Sequence, residues 1–135
     1  PFDLIKPYRL EMGTSLETKF GSNLYDWWSD KIANQVETDL KKQNGKFIVN
    51  LASNEYFKVV EKHLKSKVIT PIFQEKKGDD FKTIGIHAKK ARGSMASYIL
   101  KNKIKDFKQI KDFSELGYKF KSKHSDDKKF IFQRS

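Results

Sequence analysis

The 135-residue chain has no cysteine, so it can build neither disulfides nor a thiolate zinc site. Long apolar runs are missing too. Stretches such as Phe47-Ile48-Val49 last a few residues, against the roughly 20 that a membrane span needs. The opening PFDLIKPYRL has neither the basic start nor the apolar stretch of a signal peptide. These absences set the expectation of a cytoplasmic protein without membrane contact. There is no G-x-x-x-x-G-K-[ST], no G-x-G-x-x-G and no G-x-S-x-G, so nucleotide loops and the hydrolase nucleophile elbow have no support. His63, His87 and His124 stand far apart and lack zinc-ligand spacing. No metal site and no cofactor is therefore expected. Asp79-Asp80 and Asp126-Asp127 fall where hairpin loops are expected and read as solvated turns. Catalytic residues stay unknown at this level.

What the chain does have is aromatic bulk and positive charge. Hydrophobic residues make up 37%, with eleven Phe, five Tyr and two Trp, enough for one core in one domain. The net charge of +11 is uneven, because residues 1–45 hold six basic and seven acidic side chains. The positive charge therefore lies wholly in residues 46–135. Such a field attracts polyanions such as nucleic acids, anionic surfaces or nucleotides without choosing among them. Lys also outnumbers Arg, the better bidentate phosphate ligand, and Lys-rich surfaces also serve solubility alone.

Along the chain, Ser22-Asn23 can cap a helix with the stripe Leu24, Trp28, Ile32, Val36, Leu40, ending near Asn44-Gly45. Trp27, off that stripe, reads as core-edge packing or a stacking surface. Phe47 to Leu51 reads as a short, buried central strand leading into Ala52-Ser53-Asn54 and a helix from roughly Glu55 to Leu64. Lys67 to Gln74 and Phe81 to Ala88 predict a hairpin around Glu75 to Asp80, followed by a helix from about Ala91 to Ile104. Tyr118 and Phe120, then Phe130-Ile131-Phe132, predict a terminal hairpin at a sheet edge, where Lys discourages unwanted pairing. The expected class is α+β, a mixed sheet with antiparallel hairpins packed against helices.

Two places invite chemistry. A strand ending at Asn50 and Ser53 before a helix puts polar groups and free N–H groups at a sheet edge, unless Ser53 or Asn54 merely caps the helix. A strand running into Lys89-Lys90-Ala91-Arg92-Gly93-Ser94 and a helix has the parts of an anion cradle, unless it is an exposed basic turn. His87 beside it could touch an anion or pass a proton, or be an ordinary surface histidine. Near the start, Arg9 and Glu11 share a face of an extended segment, with Tyr8 beside them.

KPYRLEMG at 6–13, NLASNEYFK at 50–58 and AKKARGSM at 88–95 closely resemble, in order and spacing, the C-terminal half of the YaaA peroxide-stress proteins. The resemblance implies a bacterial, cytoplasmic α+β protein tied to hydrogen peroxide resistance through limiting free iron. It also implies DNA binding through a positively charged cleft. Residues 1–135 would then be the C-terminal portion of a YaaA-like domain, whose N-terminal half, with the family's helix-hairpin-helix, is absent; Pro1 as first residue fits that. Carried over by motif, Tyr8, Arg9 and Glu11 match the first, Asn50, Ser53, Glu55 and Tyr56 the second, and Lys89, Lys90, Arg92 and Gly93 the third. His87 and Ser94 stand outside it. The leading expectation is a DNA-binding module with Lys89, Lys90, Arg92, Gly93, Arg9 and Tyr8 on the nucleic acid. The alternative is an enzyme acting on a nucleotide or base, with Asn50, Ser53, Glu55 and His87 grouped by the basic turn. An iron-sequestering protein lacks clustered ligands.

Overall fold

The computed structural model describes residues 11–15, 19 and 21–135. Within them, the order is α1 (Leu24–Trp28), α2 (Lys31–Lys42), β1 (Ile48–Val49), α3 (Asn54–Glu61), β2 (Val68–Lys77), β3 (Asp80–Lys82), α4 (Gly85–Lys101), β4 (Lys119–Phe120) and β5 (Lys129–Arg134). Short 3-10 turns fill the stretch from Phe107 to His124. The strands form one mixed sheet ordered β1-β2-β5-β4, with β3 paired to β2, so the strand expected at the centre, β1, is instead a two-residue, half-buried edge strand. The α+β expectation is met.

Asn23 caps α1 through its side chain, which accepts from Asp26 N at 3.1 Å. The predicted single helix breaks after one turn. Ser29, at φ 45°, leaves the helical region, and the chain restarts as α2 with Asn34 N on Asp30 O. The stripe does not survive the break as a buried face, because Trp28 is 37% exposed and the buried residue of α2 is Ala33. The stop near Gly45 is as expected. Asn44 turns left-handed at φ 53° and Gly45 N bonds Leu40 O at 2.8 Å. A Cβ on Gly45 would lie 2.3 Å from Leu40 Cδ1. Glu37 of α2 ties down the entry to β2, accepting from Lys65 N and Ser66 N at 2.8 Å each and from Ser66 Oγ at 2.5 Å.

The second strand of the first hairpin is shorter than the alternation of Ile84, Ile86 and Ala88 suggests. Only Asp80–Lys82 pairs with β2, around a turn with Gly78 at φ 65°. From Gly85 the chain is helical, six residues before the predicted start. Ile86 is 64% exposed, whereas Ala88, Ala91 and Met95 are buried. Spacings of three and four residues, not two, match what the fold covers.

Parallel pairing of β2 with β5, Thr70 opposite Lys129 through Glu75 opposite Arg134, makes β5 an interior strand. Four of its residues, Phe130 to Gln133, are buried. The terminal hairpin forms as expected, with β4 at the edge and Phe120 opposite Phe132. Asp126 makes its turn, accepting from Lys128 N and Lys129 N at 2.8 and 2.6 Å. These two bonds hold its carboxyl below the usual range. The core is aromatic. Phe73 of β2 meets Tyr118 at 5.1 Å, Phe132 at 5.4 Å and Phe113 at 5.9 Å, and Ala91 and Met95 of α4 belong to the same cluster. Such edge and offset contacts add to the burial of each ring.

Candidate functional site

One edge of β2 is notched. β1 covers Val68 and Ile69, β3 covers Glu75 to Lys77, and between them, among the described residues, no strand pairs on that side. The hydrogen bonds fix which groups face the notch. Ile69 O accepts from Asn50 N of the β1 side, whereas Thr70 N donates to Lys128 O on the β5 side. Alternation then turns the main-chain groups of Pro71 and Phe73 toward the notch. Proline fits there because its missing N–H would have had no strand to meet.

The notch opens into a cleft of 480 Å³, bordered by Asn50 and Asn54, by Thr70 to Phe73, and by Ala88 and Arg92 of α4. Asn50 is 6% exposed. Its Oδ1 accepts from Ala52 N at 3.1 Å and its Nδ2 donates to Thr70 Oγ1 at 3.3 Å. Arg92 crosses from α4, donating from Nη1 to Ala52 O at 3.4 Å. Lys58 and Lys129 line the same cleft, with Glu61 as its acidic member. A neighbouring depression of 570 Å³ shares Phe57, Glu61, Thr70 and Lys129 with it and adds Lys65, Lys67, Lys128 and Asp127. Lys67, Lys128 and Lys129 meet because they lie at the starts of parallel strands. No local sequence signal reveals that pairing.

The remaining sequence-read residues divide. Ser53 caps α3, its Oγ accepting from Tyr56 N at 3.5 Å. Glu55 accepts from Met12 N at 3.0 Å, which docks the end of the first motif on the second. Glu11 is exposed and its carbonyl closes a turn with Thr14 N. Tyr56 is 56% exposed. Tyr8 and Arg9 lie outside the described residues. Lys89, Lys90 and Gly93 are exposed along α4. At 100° per residue Lys89 sits about 60° from Arg92 around the helix, and Lys90 about 160° away. The backbone anion cradle at 89–93 does not form. These residues lie inside α4, where N–H groups are spent on the helix itself. Gly93 is a mid-helix glycine where an added Cβ would meet nothing within 4 Å.

His87 turns away from the cleft. Its Nδ1 lies 2.7 and 2.8 Å from the two carboxylate oxygens of Glu75. Tyr118 Oη and Arg134 Nη2 each donate to Glu75 Oε1 at 2.8 Å, and the guanidinium sits 4.7 Å from the Tyr118 ring. Burial opposes the Glu75 charge, but the hydrogen bonds from Tyr118 and His87 and the charge of Arg134 outweigh it, leaving the carboxyl below its ordinary range. Burial first, and the bond to Glu75 second, push the Tyr118 hydroxyl up to about 12. This cluster clamps the start of α4 to the ends of β2 and β5. Sequence reading missed it because its members come from residues 75, 87, 118 and 134. Ser94, on the same flank of α4, bonds the Glu115 carboxylate.

Among the described residues no group of three or more His, Asp or Glu is placed to hold a metal ion, and no helix is long and apolar enough to cross a membrane. The fold and site define an α+β protein with a polar cleft cut into the edge of a mixed sheet and lysines around it. Residues 1–124 match the family of the peroxide stress protein YaaA, and the chain belongs to that family. It is 47% identical over 135 residues to a UPF0246 protein of Aliivibrio fischeri strain MJ11, covering 99% of this chain and 52% of that protein. A UPF0246 protein of Idiomarina loihiensis is 46% identical over 136 residues, covering 100% and 53%. One of Pseudoalteromonas translucida is 48% identical over 126 residues, covering 93% and 49%. The chain spans about half the length of the curated relatives it matches.

Proposed function

We propose that this chain is part of a cytoplasmic DNA-binding protein of the peroxide response, limiting damage linked to free iron, and that the cleft holds phosphates. The observation that carries the reading is Arg92 reaching across the cleft beside Asn50, with Lys58 and Lys129 in the same lining. Three cations against Glu61 favour an anion, and arginine and lysine on phosphate oxygens supply sequence-independent affinity. Lys89 and Lys90 extend the charge along the exposed side of α4, and Tyr56 offers a ring for stacking. Arg9 and Tyr8 assist from the first motif. In this reading the N-terminal half of the family protein is its covalent partner and brings further duplex contacts.

The alternative, an enzyme acting on a nucleotide or base in the same cleft, needs convergent polar groups. Of Asn50, Ser53, Glu55 and His87, only Asn50 lines the cleft. The others cap α3, hold Met12 and pair with Glu75. DNA binding is tested by anisotropy of a labelled duplex from 50 to 200 mM salt. Replacing Lys58, Arg92 and Lys129 together by Ala should lower the slope of log K against log salt by about 2 to 3. An unchanged slope, with the fold intact by circular dichroism, removes the phosphate assignment.

A further inference from the structure

The notch is closed at both ends along β2, by β1 at Ile69 and by β3 at Glu75. An extended chain cannot run through it, so strand addition is disfavoured. A compact flat group can enter from the side. The volume of 480 Å³ is that of a small-molecule site, which typically spans about 300–1,000 Å³. A duplex cannot enter a space of this size. If the cleft mouth carries phosphates, what reaches its floor is a single base swung out of the stack.

The floor has the chemistry for one. Asn50 uses one amide hydrogen on Thr70 and one lone pair on Ala52 N. A side-chain amide has two hydrogens and two lone pairs. One of each is left, a donor and an acceptor, the two kinds of group with which asparagine reads an adenine edge. Pro71 and Phe73 turn main-chain groups into the same space, and the half-buried Phe57 supplies a ring on the lining. Arg92, Lys58 and Lys129 sit around these groups, where the flanking phosphates of an extruded nucleotide would lie.

We infer that the notch between β1 and β3 is a pocket for one unpaired nucleobase, so that the protein prefers DNA carrying an extruded base over intact duplex. This rests on the DNA-binding reading above and adds to it a preference that phosphate contacts alone cannot produce, because they are blind to pairing. No bond is made or broken in this step. The base is only held.

The test uses the protein with two fluorescein-labelled 30-bp duplexes, one fully paired and one with a single adenine opposite an abasic site. Wild type should bind the second about tenfold more tightly, the discrimination one good set of base contacts provides. Placing 2-aminopurine at that position should give a fluorescence change on binding. Thr83→Trp fills the cleft from the exposed junction before α4 and should abolish the preference, with the fold intact by circular dichroism. Asn50→Asp keeps the side chain's size and its bond to Ala52 N but removes the donating amide, and should cut the preference to under threefold. Equal affinities in the wild type, or a preference that survives both substitutions, overturn the pocket while leaving duplex binding standing. Failure to bind either duplex overturns the DNA-binding reading and the pocket with it.

Discussion

Replacing Glu75 by Ala tests whether the cluster at the start of α4 is a coupled unit. The carboxylate side chain is 14% exposed and accepts from Tyr118 and Arg134 at 2.8 Å each. Without it, the Tyr118 hydroxyl, on a residue 1% exposed, loses its partner. Arg134 keeps Leu116 O at 3.0 Å and partial solvent contact. An orphaned buried hydroxyl costs about 1–3 kcal/mol. With the lost guanidinium pair, Glu75→Ala should destabilise by about 2–4 kcal/mol. Tyr118→Phe leaves the ring edge-on to Phe73 and takes one bond from a carboxylate that keeps two others, at about 1.5 kcal/mol. The double mutant should then be less destabilised than the sum, with a coupling of about 1–2 kcal/mol. Urea unfolding of the four proteins measures this, given equal m-values. A coupling below about 0.5 kcal/mol refutes the unit, since that is the scatter of independent sites.

The same cluster, together with Glu37 of α2, gives the stability a pH dependence at both ends. Glu75 and Glu37 titrate below the ordinary carboxylate range when folded. Their contribution is present above the unfolded value and is lost as pH falls through the folded one. Glu75→Gln should therefore flatten the acid limb of urea midpoint against pH. Tyr118 titrates at about 12 in the folded state against 10.0 otherwise. Its contribution is present below pH 10 and fades as pH rises toward 12, a loss that Tyr118→Phe should remove. Gly93→Ala should raise stability by about 0.5–1 kcal/mol, because alanine suits a helix interior with open space around it. Duplex affinity should be unchanged in this variant. Weakened binding with α4 intact would show that Gly93 meets the ligand after all.

Local signals in the chain foretold local structure. Asn23 as a cap, the stop at Asn44-Gly45, the turns at Gly78 and Asp126 and the Phe-rich terminal hairpin each depend on neighbours a few residues apart. The misreadings also have local causes. A stripe repeating every four residues cannot register the backbone reversal at Ser29, and Ile84, Ile86 and Ala88 match a strand as well as a helix start. The difference is that Ile86 faces solvent. The cleft was half legible. Asn50 and Arg92 stand in motifs that drew attention, but the cradle assigned to Lys89, Lys90, Arg92 and Gly93 assumed free N–H groups that α4 consumes.

By itself, the sequence determined the class of the fold, the family, and the concentration of positive charge beyond residue 45. Composition, motif order and short-range periodicity carry these. Only the tertiary structure decided that β2 pairs with β5, so that lysines some seventy residues apart share a rim with Arg92. It likewise turned His87 to Glu75 and away from the cleft. The second follows from α4 packing against β2, the first from parallel pairing between strands distant in the chain. Its register follows from how the aromatic core packs as a whole, and no window of neighbouring residues contains it.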